Sequence, residues 1–127
     1  MQLKMQQILG FPTFYAIVKN SRMPMKTAYK LSKLGVAIDT ELAFYREKVQ
    51  AVVSEYGLLD ENGRPVPTDD GQGVKLRPGT EADCFAAMQE LQDIEVVLPD
   101  ITFSIDDFDG LELTVEELGH IVPFLVD

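Results

Sequence analysis

The spacing of apolar positions changes along the chain, and those changes mark its elements. From Pro24 to Tyr56, the residues Ala28, Leu31, Gly35, Ile38, Leu42, Tyr45, Val49, Val52 and Tyr56 recur alternately three and four apart. Such spacing places all of them on one helix face as a heptad seam. Pro24 suits the first helical turn, where a missing N–H costs nothing, and Gly57 stands where a left-handed glycine ends a helix. At 1.5 Å per residue the helix would be about 50 Å long, against a radius of gyration of about 14 Å for a compact chain of this size. Two readings follow. The seam packs antiparallel on an earlier helix of the same chain, or part of it, through Leu31, Ile38, Leu42, Tyr45, Val49 and Val52, serves self-association.

Ahead of the seam, Phe14, Tyr15, Ile17 and Val18 predict a short helix opening at Pro12 or Thr13, followed by a turn at Asn20–Met23. After Gly57 the pattern lapses. Asn62-Gly63 and Asp70-Gly71 are turn signals, and with Pro65 and Pro67 they predict a mobile loop framing a weak hairpin over residues 58–79. Val74-Lys75-Leu76 reads as a short strand. Thr80 with Asp83 three residues on approximates a capping box for a helix carrying Phe85, Met88 and Leu91. Two β-type runs follow, Ile94–Leu98 and Ile101–Ile105, separated by Pro99-Asp100. Thr114-Val115-Glu116-Glu117 is a full capping box with Leu113 and Leu118 as its hydrophobic staple, and Pro123 limits this last helix to about two turns.

The pattern predicts an α+β fold: a long N-terminal helix with a short partner, then a small antiparallel sheet and two short helices. A length of 127 residues favours a single domain, with a helical part over 1–57, the loop over 58–79 and an acidic α/β part over 80–127. No apolar run approaches the roughly 20 residues that span a bilayer, and the first residues lack the apolar stretch of a signal peptide. With one cysteine, Cys84, no internal disulfide can form. A cytoplasmic, membrane-free protein is expected.

Charge alters this picture through its distribution. The net charge is −10, yet residues 1–38 carry Lys4, Lys19, Arg22, Lys26, Lys30 and Lys33 and no acid. Residues 78–127 carry 13 acids and no Lys or Arg. The two ends either attract each other within the fold, or the acidic one forms a surface that repels nucleic acid and favours a basic partner. Asp100, Asp106, Asp107, Asp109, Glu112 and Glu116 are the candidate partner-binding residues.

No residue set points to catalysis. Asp106-Asp107-Phe108-Asp109-Gly110 approaches a calcium loop, but with Gly110 at the sixth position the first becomes Ile105, which has no side-chain oxygen. His120 is the sole histidine, so a triad or a histidine-rich metal site has no second member. Cys84 lies in the first turn of a predicted helix, where Glu81 and Asp83 oppose thiolate formation. No phosphate loop, dinucleotide fingerprint or nucleophile elbow is present, and Trp is absent, leaving no evident base-stacking platform. No cofactor, no metal and no direct contact with nucleic acid are expected.

Three segments carry a resemblance. Met23-Pro24-Met25-Lys26-Thr27-Ala28-Tyr29-Lys30-Leu31 leads into the long helix, which ends at Glu55-Tyr56-Gly57-Leu58-Leu59-Asp60-Glu61-Asn62-Gly63. The chain then runs through Ile94-Glu95-Val96, Leu113-Thr114 and Val122-Pro123-Phe124. Over most of its length it resembles a family of small, largely uncharacterised proteins of tailed bacteriophages and prophages. The resemblance implies a phage setting in a bacterial host and a shared α+β fold, and carries over no catalytic residue. The function expected is a non-catalytic protein–protein interaction or assembly protein, virion-associated or accessory. The alternative is an acidic nucleic-acid mimic that antagonises a host nucleic-acid-binding or defence enzyme.

Overall fold

A computed structural model describes residues 1–126 and bears out the α+β architecture. The elements are β1 (Gln2–Lys4), α1 (Met5–Ile8), α2 (Phe11–Val18), α3 (Met25–Tyr56), α4 (Glu81–Gln92), β2 (Glu95–Val97) and α5 (Val115–Gly119), with 3₁₀ turns at Ile105–Phe108 and Val122–Phe124. The chain divides into two compact units, Met1–Leu42 with Glu95–Asp127, and Ala43–Ile94. These units do not follow the 1–57, 58–79 and 80–127 stretches expected from sequence, because α3 runs through the boundary between them.

The first unit holds the core. Thr27, Leu31, Leu34, Ile38 and Leu42 form the buried stripe of its part of α3. Compared with the expected seam, the stripe is rotated: Thr27 and Leu34 are buried, while Ala28 is exposed and Gly35 half-buried. Phe11, Phe14 and Val18 of α2 join this core, so α2 is the short partner helix. Phe14 meets Phe108 edge-on at 5.5 Å between ring centroids, and Phe11 meets Phe124 at 6.0 Å. Fully burying each such ring stabilises the fold by roughly 1.5–3 kcal/mol. Leu31, Ile38 and Leu42 are therefore core residues, and the self-association surface expected of them is absent.

A two-stranded antiparallel sheet pairs Gln2 with Val97, Leu3 with Val96 and Lys4 with Glu95. The Ile101–Ile105 strand does not form. Only Phe103 bridges, parallel to Leu125, and its N–H donates to the Phe124 carbonyl at 2.8 Å. Ile101 and Phe103 point inward as their alternation predicts, but Ile105 is 56% exposed because a 3₁₀ turn begins there. Asp107 Oδ2 accepts from the Ser104 N–H at 2.9 Å and anchors that turn.

In the second unit, the stretch expected to be a mobile loop is held by backbone hydrogen bonds. Leu58 donates to Lys75, Lys75 to Val66 and Val66 back to Leu58, each at 2.8–2.9 Å, so three extended segments close on one another. Antiparallel bridges at Leu59–Pro65 and Pro67–Val74 close weak hairpins around the two turns, and a third at Gly57–Leu76 stands in place of a Val74–Leu76 strand. Both turn signals hold: Gly63 and Gly71 have φ of +76° and +72°. Gly57, by contrast, is not left-handed. Its N–H donates to Val53 at 2.8 Å, and the chain passes straight into the bridge with Leu76. The end of α3 is closed instead by Arg77, whose guanidinium donates to the Glu55 carbonyl and whose N–H donates to Tyr56.

Candidate functional site

The acidic residues singled out from sequence all lie in the first unit, and the structure gives them different tasks. Asp100 takes the N-terminal ammonium at 2.7 Å, and this partner holds its carboxyl below the usual carboxylate range. Asp107 is engaged in the turn at Ser104. Asp106, Asp109, Glu112 and Glu116 are exposed. Among the described residues, no three His, Cys, Asp or Glu side chains are grouped to hold a metal ion. Nor do the six candidates meet at one point: Asp100 sits at the sheet, while Glu116 lies in the first turn of α5.

An ion pair, the N-terminal ammonium with Asp100, joins the basic and acidic ends. Lys19, Arg22, Lys26 and Lys33 are in no ion pair among the described residues. Lys30 lies 5.1 Å from the centre of the Phe103 ring. A cationic surface and an acidic one thus coexist within this unit.

His120 caps α5 and packs elsewhere as well. Its N–H donates to Glu117 at 3.3 Å, while its ring lies over Gly10 at the start of α2. A Cβ on Gly10 would stand 2.3 Å from Nδ1. This packing role was hidden from sequence reading because the two residues are far apart in the chain.

Thr68–Gly73 shape a shallow polar loop in the second unit. Asp70 accepts from the Thr68 hydroxyl at 2.5 Å and from the Gln72 N–H at 3.0 Å, and these bonds lower its carboxyl from the ordinary value. They satisfy the turn itself. Cys84 is half-buried in the first turn of α4. Desolvation, with the Glu55 and Asp83 carboxylates adding, raises the nearby Tyr56 phenol above its ordinary value, so it stays protonated at neutral pH.

Two grooves remain. In the first unit, Phe11, Tyr15, Lys19, Gly35, Val36 and Asp39 contribute to a cleft of about 230 Å³ between α2 and α3. In the second, Lys48, Ala51, Val52 and Glu55 of α3 face Ala87, Glu90 and Leu91 of α4, with Ile94, across an opening of about 300 Å³. The second groove belongs to a unit with an unusual deficit. Every buried apolar side chain among the described residues lies within 1–42 or 95–126, and none within 43–94. Tyr45, Val49, Val52, Met88 and Leu91 are half-buried. Phe44 and Phe85 are exposed, the latter by 67%. Of the expected self-association seam, this lower part alone is accessible.

Among the described residues, no helix is long and apolar enough to cross a membrane. No protein-family model, curated protein or solved structure matches the chain.

Proposed function

We propose that the chain is a non-catalytic protein–protein interaction or assembly protein, phage-encoded and acting in a bacterial host, either in the virion or as an accessory to its construction. The observation that carries this reading is the unit Ala43–Ile94, which orders 52 residues without one buried apolar side chain. Ordering a residue costs roughly 1–2 kcal/mol of backbone entropy, and buried apolar surface is the main term that offsets it. Phe44, Phe85 and the half-buried Val49, Val52 and Leu91 hold that surface in reserve for a partner. The phage setting rests on the resemblance of the Met23–Leu31, Glu55–Gly63 and Val122–Phe124 segments.

The test is capture from infected or lysogenic cells with tagged full-length chain, alongside a Phe44→Glu/Phe85→Glu variant. A virion or assembly component retained by the parent and lost by the variant is expected. Equal capture by both would contradict the reading. The alternative, a nucleic-acid mimic, draws support from Asp106, Asp109, Glu112 and Glu116, which are exposed and in no ion pair among the described residues. It requires a basic host enzyme that releases DNA or RNA on binding, with affinity falling steeply as salt rises. Salt-insensitive binding removes it.

A further inference from the structure

The groove between α3 and α4 has a charge pattern that identifies an occupant. Lys48 and Glu55 both line it, one at each end of the α3 wall, with Ala51 and Val52 between them, and Glu90 adds a second acid on the α4 wall. Seven residues apart, Lys48 and Glu55 share one heptad position and lie about 10 Å apart along the helix axis. Neither is in an ion pair among the described residues. Lys48 instead rests 5.5 Å from the centre of the Phe44 ring.

This arrangement is complementary to itself under one operation, a two-fold rotation that reverses the helix. We infer that the groove is occupied by a second copy of this chain, packed antiparallel on a two-fold axis passing near Ala51 and Val52. Lys48 of each copy then meets Glu55 of the other, and both ion pairs form together. A parallel arrangement would set Lys48 against Lys48 and Glu55 against Glu55. A uniformly acidic partner would face Glu55 and Glu90, and a uniformly basic one would face Lys48.

The middle of the contact is apolar. Ala51 at the axis lets the two α3 helices approach closely, and Val52, Ala87, Leu91 and Ile94 flank it from both chains. An apolar centre with a charged rim is the usual anatomy of an interface. Two helix pairs that each lack a core would share one, as in a four-helix bundle. This inference deepens the interaction reading, resting on the same coreless unit and naming the partner.

Sedimentation equilibrium of the full chain tests it. A reversible dimer is expected between ~1 and ~300 μM. Lys48→Glu and Glu55→Lys, each of which sets like charges together twice, should weaken it about tenfold. The double exchange Lys48→Glu/Glu55→Lys should restore it, since both pairs re-form with signs reversed. Ala51→Glu, at an exposed position, should give a monomer with unchanged circular dichroism. A parent chain that stays monomeric throughout the range, a double exchange that fails to restore association, or a dimer indifferent to Ala51→Glu would overturn the proposal. A monomeric parent that still captures a virion component through Phe44 and Phe85 would overturn the second copy and leave the interaction reading standing. A dimer that captures nothing would do the reverse.

Discussion

Gly10→Ala is the sharpest perturbation available in the first unit, because its consequence is steric and can be cancelled. The added Cβ would lie 2.3 Å from Nδ1 of His120, 3.0 Å from Cγ and 3.2 Å from Cε1. An ordinary contact is about 3.5 Å, so the ring must retreat by about 1 Å or the start of α2 must shift. Overpacking of that kind costs roughly 1–3 kcal/mol. His120→Ala alone removes a half-buried ring, a milder loss of roughly 1 kcal/mol. The double variant loses the ring and with it the clash, so the two substitutions should couple by about 1–2 kcal/mol in the compensating direction. Urea unfolding followed by far-UV circular dichroism supplies the four free energies of the cycle. Additive effects, within about 0.5 kcal/mol, would refute the placement of His120 over Gly10.

Other glycines separate space from conformation. Gly35→Ala meets Phe11 at 3.7 Å and Tyr15 at 3.9 Å, both ordinary contacts, and should stabilise α3 by about 0.5–1 kcal/mol in thermal melts. Gly57→Ala sets a Cβ 2.4 Å from the Val53 carbonyl oxygen and should destabilise by about 1–3 kcal/mol, with circular dichroism reporting loss at the end of α3. Thr114→Ala removes the hydroxyl that accepts from the Glu117 N–H at 3.1 Å, and should cost about 1 kcal/mol by chemical denaturation. Asp100 has a folded-state value depressed by the N-terminal ammonium, so its contribution is present above the unfolded value of about 3.9 and disappears as pH falls through the folded one. Asp100→Asn should therefore flatten the acid limb of a stability–pH curve below about pH 4, and an unchanged limb would contradict the pairing.

Local signals carried the parts of the fold that local chemistry decides. The box at Thr114 forms as written, with the Thr114 N–H donating to Glu117 at 2.8 Å. Thr80 and Asp83 spell nearly the same motif but make no box, because the Arg77–Thr80 turn takes the Thr80 hydroxyl, which donates to Arg77 at 2.6 Å. Ser104 and Asp107 do make one, and the Ser-x-x-Asp spacing there could have revealed it beneath the alternation of Ile101, Phe103 and Ile105. Strand β1 was beyond reach: it is three residues long with one apolar member, and its partner lies at Glu95–Val97. The heptad seam was legible as a helix face. What covers each part of it is a tertiary matter, and the period is the same for Leu31, which is buried, as for Val49, which is half-buried. The acidic candidates were legible as charges, while the capping and terminal duties of Asp107 and Asp100 depended on backbone groups brought up by the fold.

Hydrogen–deuterium exchange of the full chain across a concentration series tests the central claim most directly, that Ala43–Ile94 lacks a core of its own and is completed by a partner. Amides of α4 and of residues 45–56 should exchange through low-energy openings in dilute solution, far faster than those of α2 and residues 31–42, and should gain protection as concentration rises. Protection of 45–56 and α4 equal to that of the first unit in dilute solution, and unchanged on concentration, would contradict the account.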